Sequence, residues 1–134
     1  MKNKWIVLFS YPEDFENISS VEILGILKYW NDFERLNCIP IGISIDSVKC
    51  HLEWFKKIYR YSDIRNKIII IEDRIGEIIR KYGMISKEIS NCKPIRSVRI
   101  IDDNGIIRAV LNYPVEVCRN VIEILRIVEE LQNI

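Results

Sequence analysis

The 134-residue sequence predicts a single α/β domain, built on a mixed sheet of about five strands with helices on both faces. Short apolar runs rich in Ile and Val alternate with longer segments in which apolar residues recur at helical spacing. Asp103-Asn104-Gly105 joins two late apolar runs as a hairpin. The composition, 49% hydrophobic and 29% charged, is typical of a globular protein with a real core.

The first predicted unit is a strand, a turn and a helix start, within residues 5–23. Residues 5–10 form a continuous apolar run, typical of a strand that is covered on both faces. Residues 11–14 break this run. Apolar residues then return at helical spacing, so a helix is predicted over 20–37 with Ser19 or Ser20 as its N-cap.

The later elements follow from the same two spacings. Further strands are predicted at 39–45, 67–71, 97–102 and 106–112, and further helices at 48–61, 74–82 and 115–131. Asp46 or Ser47 caps the second helix, Gly83 ends the third, and Pro114 leads into the last. Asn104-Gly105 supplies the positive φ of the hairpin turn. Strands separated by helices, then a hairpin and a final helix, make a thioredoxin-like arrangement.

Charge and hydropathy exclude several classes of protein. With 20 basic and 19 acidic residues the net charge is +1, which gives no argument for nucleic acid as a partner. The first apolar run is interrupted by Ser10 and Pro12, so it is too short for a signal peptide or a membrane span. We therefore expect a cytoplasmic protein that has no membrane partner.

The cysteines do not form a recognisable metal or redox motif. With a single histidine, His51, and no Cys-x-x-Cys pair, the spacing fits neither a zinc site nor a dithiol, and no cofactor is expected. In a cytosolic protein such thiols are mostly reduced and serve as small apolar residues. Cys92 is the candidate reactive thiol, because Lys87, Lys93 and Arg96 lie near it in sequence. The four cysteines are Cys38, Cys50, Cys92 and Cys118.

The turn after the first strand is the place where function is expected. A strand whose carboxyl end leads into a helix directs unpaired backbone N–H groups, and a partial positive charge, at the crevice above the sheet. Such a place suits an anion or an activated thiolate. No Gly-rich phosphate loop, pair of catalytic carboxylates or Ser-His-Asp set supports an unrelated enzyme.

Residues 9–22 resemble the active-site segment of the peroxiredoxins, the AhpC/TSA family, and most of all their one-cysteine subclass. The family motif reads Pro-x-x-x-Thr-x-x-Cys, in which the cysteine attacks peroxide. Here Pro12 stands at the proline, Glu16 at the threonine and Ser19 at the peroxidatic cysteine. The resemblance continues in the right order over nearly the whole chain, through residues 41–54, 82–85, 96–108 and 113–126.

The resemblance implies a set of site residues. In the family the thiolate lies beside an arginine from the central hairpin, which Arg96 matches, and the threonine hydroxyl helps to bind peroxide. Ser19 cannot form and discharge a sulfenic acid. A carboxylate at Glu16 opposes a thiolate and pairs readily with Arg96, while Asn17 replaces a second proline. An engineered Cys-to-Ser change would explain Ser19 alone, so natural loss of the cysteine is favoured.

Two functional hypotheses stay open. The chain is either a thiol peroxidase by descent, inactive or working through another cysteine such as Cys92, or a pseudo-enzyme that binds or assembles with a partner such as an active relative. A weaker third hypothesis is an anion site at Ser19 and Arg96. The first would need a peroxide substrate and a thiol reductant. The resemblance also implies a missing N-terminal hairpin and C-terminal extension, whose absence exposes surface and favours a homodimer.

Overall fold

The computed structural model describes residues 3–12, 17–44, 50, 53–54, 56–57, 68–73, 77–82 and 95–134. Five strands form one sheet in the order β3-β2-β1-β4-β5. β1 lies parallel to β2, and β2 parallel to β3, whereas β4 runs antiparallel to both β1 and β5. The predicted mixed five-stranded sheet is therefore confirmed. The strands are β1 Trp5–Ser10, β2 Cys38–Ser44, β3 Ile69–Glu72, β4 Arg96–Ile101 and β5 Ile107–Tyr113.

Helices cover both faces of this sheet, as the thioredoxin-like prediction requires. The labelled helices are α1 Asn17–Lys28, α2 Trp30–Arg35, α3 Glu77–Lys81 and α4 Val121–Gln132, and residues 50, 53–54 and 56–57 are also helical. Because side chains alternate along a strand, Val7 and Phe9 of β1 face the larger core with α1 and α4, and Leu8 faces the smaller one with Ile79 of α3.

The first helix differs from the prediction at both ends. It begins at Asn17 rather than at residue 20, so the prediction that Ser19 or Ser20 is its N-cap is wrong. It also breaks at Tyr29, where φ is −100° and ψ is 20°, and a separate α2 follows. The apolar spacing continues across this break, which is why the sequence pattern does not reveal it. Asn37, with φ of 52°, then turns the chain into β2.

The last helix begins later than predicted. Residues 115–120 form a turn and an extended stretch instead of the predicted first helical turns, and α4 starts at Val121. The side chain of Asn120 caps it by accepting the N–H of Glu123 at 3.2 Å. The segment before α4 makes long-range contacts instead of helical ones. The carbonyl of Val115 accepts from Arg96 of β4, and the backbone N–H of Arg119 donates to Glu22 of α1.

The other strands and α3 agree with the predictions within a few residues, and the described residues of the predicted helix at 48–61 are helical. β3 begins two residues and ends one residue later than predicted, and α3 lies inside the predicted helix at 74–82. The N–H groups of Ile78 and Ile79 donate to the carboxylate of Asp73, which thereby satisfies the start of α3. The predicted caps Asp46 and Ser47, and the predicted stop at Gly83, lie outside the described residues.

The hairpin between β4 and β5 is organised by one carboxylate. Asp102 accepts the N–H groups of Asn104 at 2.9 Å and Ile106 at 3.0 Å, and Arg108 at 3.3 Å. Within this turn the positive φ lies at Gly105, where φ is 80°, so the Asn104-Gly105 pair supplies it as predicted. The Ile106 N–H, followed by the Asn104 N–H and the Arg108 guanidinium, lowers the pKa of the Asp102 carboxyl below its ordinary value of 3.8.

This lowered pKa predicts a stability loss in acid. The folded state holds the Asp102 carboxylate more tightly than the unfolded chain does, so its contribution is full above pH 3.8 and is lost as the pH falls through the folded pKa. In Asp102→Asn the free energy of unfolding should therefore fall less steeply as the pH is lowered into this acid range (the acid limb). Urea denaturation from pH 7 downwards measures this change. Asp103→Asn removes the same charge from the same turn and is the matched control. An unchanged acid limb in Asp102→Asn would contradict the prediction.

Candidate functional site

Ser19 is the third residue of α1 and lies at the carboxyl end of the central strand. Its side chain is buried, with the residue 1% exposed. The Ser19 Oγ accepts a hydrogen bond from Nη1 of Arg96 at 2.9 Å. Arg96, the first residue of β4, is itself 1% exposed. The structure thus brings together two of the predicted site residues, which are 77 positions apart in sequence.

Glu22, three residues after Ser19 in α1, carries a buried carboxylate. Glu22 Oε1 is 3.0 Å from Nη1 of Arg96 and 3.0 Å from Nη2 of Arg119. Its Oε2 accepts Nε of Arg119 at 2.6 Å and the backbone N–H of Arg119 at 2.8 Å. Four charge-assisted bonds satisfy this carboxylate, which offsets the cost of removing it from water. Among these three side chains, one positive charge stays in excess beside Ser19.

The same arginines connect this cluster to the sheet. Nη1 of Arg119 donates to the carbonyl oxygens of Ser10 at 2.6 Å and Ser97 at 2.9 Å. Its guanidinium also lies over the ring of Phe9, 5.4 Å from the ring centroid. Nε of Arg96 donates to the carbonyl of Val115 at 2.7 Å. The cluster therefore joins β1, β4, α1 and the segment before α4 into one rigid unit.

Aromatic side chains form another wall of the site. Tyr11 follows β1, is 1% exposed, and lies 5.3 Å from the ring of Trp54. The indole Nε1 of Trp54 donates to the Oγ of Ser20, the neighbour of Ser19. Pro12, the predicted first residue of the motif, is buried directly after Tyr11. These contacts hold the start of α1 from a direction that differs from that of Arg96.

Two predicted site residues, Glu16 and Cys92, lie outside the described residues, as do His51 and the basic residues Lys87 and Lys93. The sequence reasoning also missed Glu22 and Arg119 as site residues. Glu22 had a detectable signal, since it is an acidic residue within the apolar stripe of α1. No local sequence pattern marks Arg119, because its partner Glu22 lies 97 positions away.

The described cysteines differ in exposure. Cys38, at the start of β2, is buried, and burial raises the pKa of its thiol to about 12. It is an inert packing residue, as expected from the sequence. Cys50 is half-buried and Cys118 is exposed. In the part of the chain that the structure describes, no His, Cys, Asp and Glu side chains group as a metal site, and no helix is long and apolar enough to cross a membrane.

The geometry would stabilise a negative charge at position 19. The guanidinium of Arg96 lies within hydrogen-bond distance, and the first turn of α1 contributes N–H groups and a positive dipole end. A thiol at this place would lose its proton more easily than in water. A serine hydroxyl stays un-ionised at neutral pH unless a general base removes its proton. The buried pocket at position 19, formed by Arg96 and the first turn of α1, would therefore favour an anion, while Ser19 supplies a neutral group.

Comparisons with known proteins agree on one family. The profile described as the AhpC/TSA family matches residues 1–110. The chain is 44% identical to a peroxiredoxin of Methanocaldococcus jannaschii, covering 98% of this chain and 60% of that protein. It is 43% identical to peroxiredoxin 2 of Picrophilus torridus, covering 98% and 64% of the two chains.

A solved structure shows the same fold. A cysteine-to-serine mutant of peroxiredoxin 6 from Arenicola marina superposes with a TM-score of 0.89 and 31% identity. The alignment covers 98% of this chain and 62% of that one. The chain thus spans about three fifths of the length of these relatives.

Because Glu22 pairs with two buried arginines, removal of its charge should cause a large loss of stability. Glu22→Gln leaves two buried guanidinium groups facing an amide, which should lower the free energy of unfolding by about 3–5 kcal/mol. The matched control is Glu123→Gln, whose exposed carboxylate pairs with Arg126, and about 1 kcal/mol or less is expected there. Urea denaturation at pH 7 measures both changes. Equal losses in the two variants would contradict the structural importance of Glu22.

Proposed function

This chain belongs to the AhpC/TSA family, and from that premise we propose that it is a peroxiredoxin-like protein that has lost peroxide reduction at position 19. In this proposal Ser19 occupies the position of the peroxidatic cysteine, and the one-cysteine subclass is the nearest model. The observation that supports it most is the contact of 2.9 Å between Ser19 Oγ and Nη1 of Arg96. In the proposal, this hydroxyl takes the place of the thiolate that the family holds beside an arginine.

The chemistry argues that serine cannot replace the sulfur. Peroxide reduction by this family requires a nucleophile that accepts an oxygen atom, becomes a sulfenic acid and is then reduced by a thiol. A hydroxyl oxygen has no corresponding stable oxidised form that a thiol can discharge. The positive charge of Arg96 therefore has no thiolate to stabilise in this chain.

The persistence of the surrounding cluster favours a binding or assembly role. Glu22 and Arg119 hold Arg96 towards position 19 although Ser19 carries no charge. Glu16 and Asn17 also depart from the motif, which favours natural drift over a single engineered substitution. We propose that the fold is used as a module that binds a partner, an active relative being one candidate.

Peroxide reduction through another thiol is the alternative. It rests on the basic residues that surround Cys92 in sequence and on the exposure of Cys118. Burial argues against Cys38, since the pKa of its thiol is raised to about 12. The experiment must therefore separate chemistry at position 19 from chemistry at a second cysteine.

Peroxide consumption under excess dithiol tests the proposal. The unmodified chain should be inert, and Ser19→Cys with Glu16→Thr and Asn17→Pro should consume hydrogen peroxide faster than the unmodified chain. Ser20→Cys, which introduces a thiol one position away, is the matched control and should stay inert. Consumption by the unmodified chain that disappears in Cys92→Ser or Cys118→Ser would overturn the proposal in favour of the alternative.

We also propose that two copies of this chain pair through β5. In the described residues β5 pairs with β4 alone, so its other edge presents backbone N–H and C=O groups to a partner strand. Ile107 and Val110 on this strand are 43% and 52% exposed. An antiparallel pairing of two β5 strands would satisfy these backbone groups and is self-complementary, as a two-fold dimer requires.

The dimer proposal is tested by placing a charge on the edge strand. Val110→Lys should convert the dimer into a monomer, because a lysine on an edge strand opposes strand pairing. The control Ile122→Lys changes a residue of α4 with similar exposure, 59%, and should leave the dimer intact. Sedimentation velocity measures the mass of each variant. A monomeric unmodified chain, or a Val110→Lys chain that stays dimeric, would contradict pairing through β5.

A further inference from the structure

In addition to the cluster of Glu22, Arg96 and Arg119, Trp54 contacts the first turn of α1. Its indole Nε1 donates to Ser20 Oγ at 2.9 Å, and Trp54 is 1% exposed. Ser20 directly follows Ser19, whose own Oγ accepts from Arg96 at 2.9 Å. Two consecutive side chains at the start of this helix are thus held by two different parts of the fold.

These two contacts act in different directions around the helix. Consecutive residues of an α-helix are separated by about 100° of rotation, so Arg96 and Trp54 approach α1 from different sides. A single contact would leave the first turn able to rotate about it. Helix starts also open easily, because their first N–H groups lack partners within the helix. The two contacts together fix the rotation of this turn as well as its position.

The indole is itself held in place. The Tyr11 ring lies 5.3 Å from the Trp54 ring at an interplanar angle of 44°, and Tyr11 is 1% exposed. The backbone N–H of Tyr11 donates to the carbonyl of Ile43 in β2 at 3.3 Å. Through Tyr11, Trp54 therefore links Ser20 to the carboxyl ends of β1 and β2.

We propose that Trp54 is a positioning residue of this pocket, which acts through Ser20 to fix the direction in which the group at position 19 faces Arg96. In this assignment Trp54 acts through Ser20 and sets the rotation of the turn that carries position 19. The inference deepens the proposed function, on which it rests for the meaning of the pocket. The Trp54–Ser20 bond itself belongs to the chain as it stands.

The chain offers a matched control for the indole bond. Trp30 Nε1 donates to Oε1 of Glu34 at the same distance, 2.9 Å, on the exposed surface of α2. Trp30→Phe removes an indole bond of equal length away from the pocket. Trp54→Phe keeps a ring and removes the donor, and Ser20→Ala removes the acceptor with a much smaller change of shape.

The first measurement is amide hydrogen exchange in the unmodified Ser19 background. The amides of residues 21–23, which bond back to the first turn of α1, should exchange about three- to tenfold faster in Trp54→Phe and in Ser20→Ala. Amides of α4 report global stability and should change less. Trp30→Phe should leave residues 21–23 unchanged.

The second measurement reads the direction of the group at position 19. In the Ser19→Cys background, the rate of alkylation by iodoacetamide is followed as a function of pH, with the unmodified chain as the blank for the other thiols. Adding Trp54→Phe or Ser20→Ala should raise the pH at which the introduced thiol becomes reactive. The combined variant should add nothing to either single change, because both break the same bond.

The outcomes separate this inference from the proposed function. Unchanged exchange at residues 21–23 in both Trp54→Phe and Ser20→Ala overturns the positioning role, as does an additive effect on the alkylation profile. If the thiol of Ser19→Cys alone reacts no more readily than a free cysteine, position 19 does not activate a thiol and the proposed function is overturned. Hydrogen exchange in the Ser19 chain then still decides whether Trp54 fixes the turn.

Discussion

The carboxylate of Glu22, shared between Arg96 and Arg119, is the interaction on which the site depends. It joins residues that are 74 and 97 positions apart in sequence, and Arg119 extends the connection to backbone carbonyls of β1 and β4. Buried charges are costly to remove from water, so such a cluster is stable only when every member is paired and hydrogen-bonded. Once formed, it fixes α1 against the sheet and holds Arg96 towards position 19, whatever group stands there.

Under the proposed function, this separation between the cluster and the group at position 19 explains how the chain keeps the arrangement of the site without the family's chemistry. An oxygen in place of a sulfur at position 19 would remove the reactive atom but would leave the guanidinium, the helix start and the aromatic wall as they are. Since the cluster also stabilises the fold, it can persist without catalysis.

The sequence predicted the sheet well and the site in part. The strands and the hairpin were readable because burial imposes a local pattern on β1, β4 and β5, and the motif frame indicated Ser19 and Arg96. The break at Tyr29 was not readable, since apolar spacing continues through it. The late start of α4 was missed because residues 115–119 form long-range contacts instead of a helix. Arg119 was missed for the same reason, as no local pattern encodes a partner in a distant helix.

The most direct test of this account is the pH titration of the thiol in Ser19→Cys, followed as thiolate absorbance in the difference between the variant and the unmodified chain. If Glu22 and Arg119 hold Arg96 in place as described, the introduced thiol should titrate below the value of about 8.5 that is typical of free cysteine. A thiol that titrates at or above that value would show that the pocket does not stabilise an anion at position 19, and the account would be wrong.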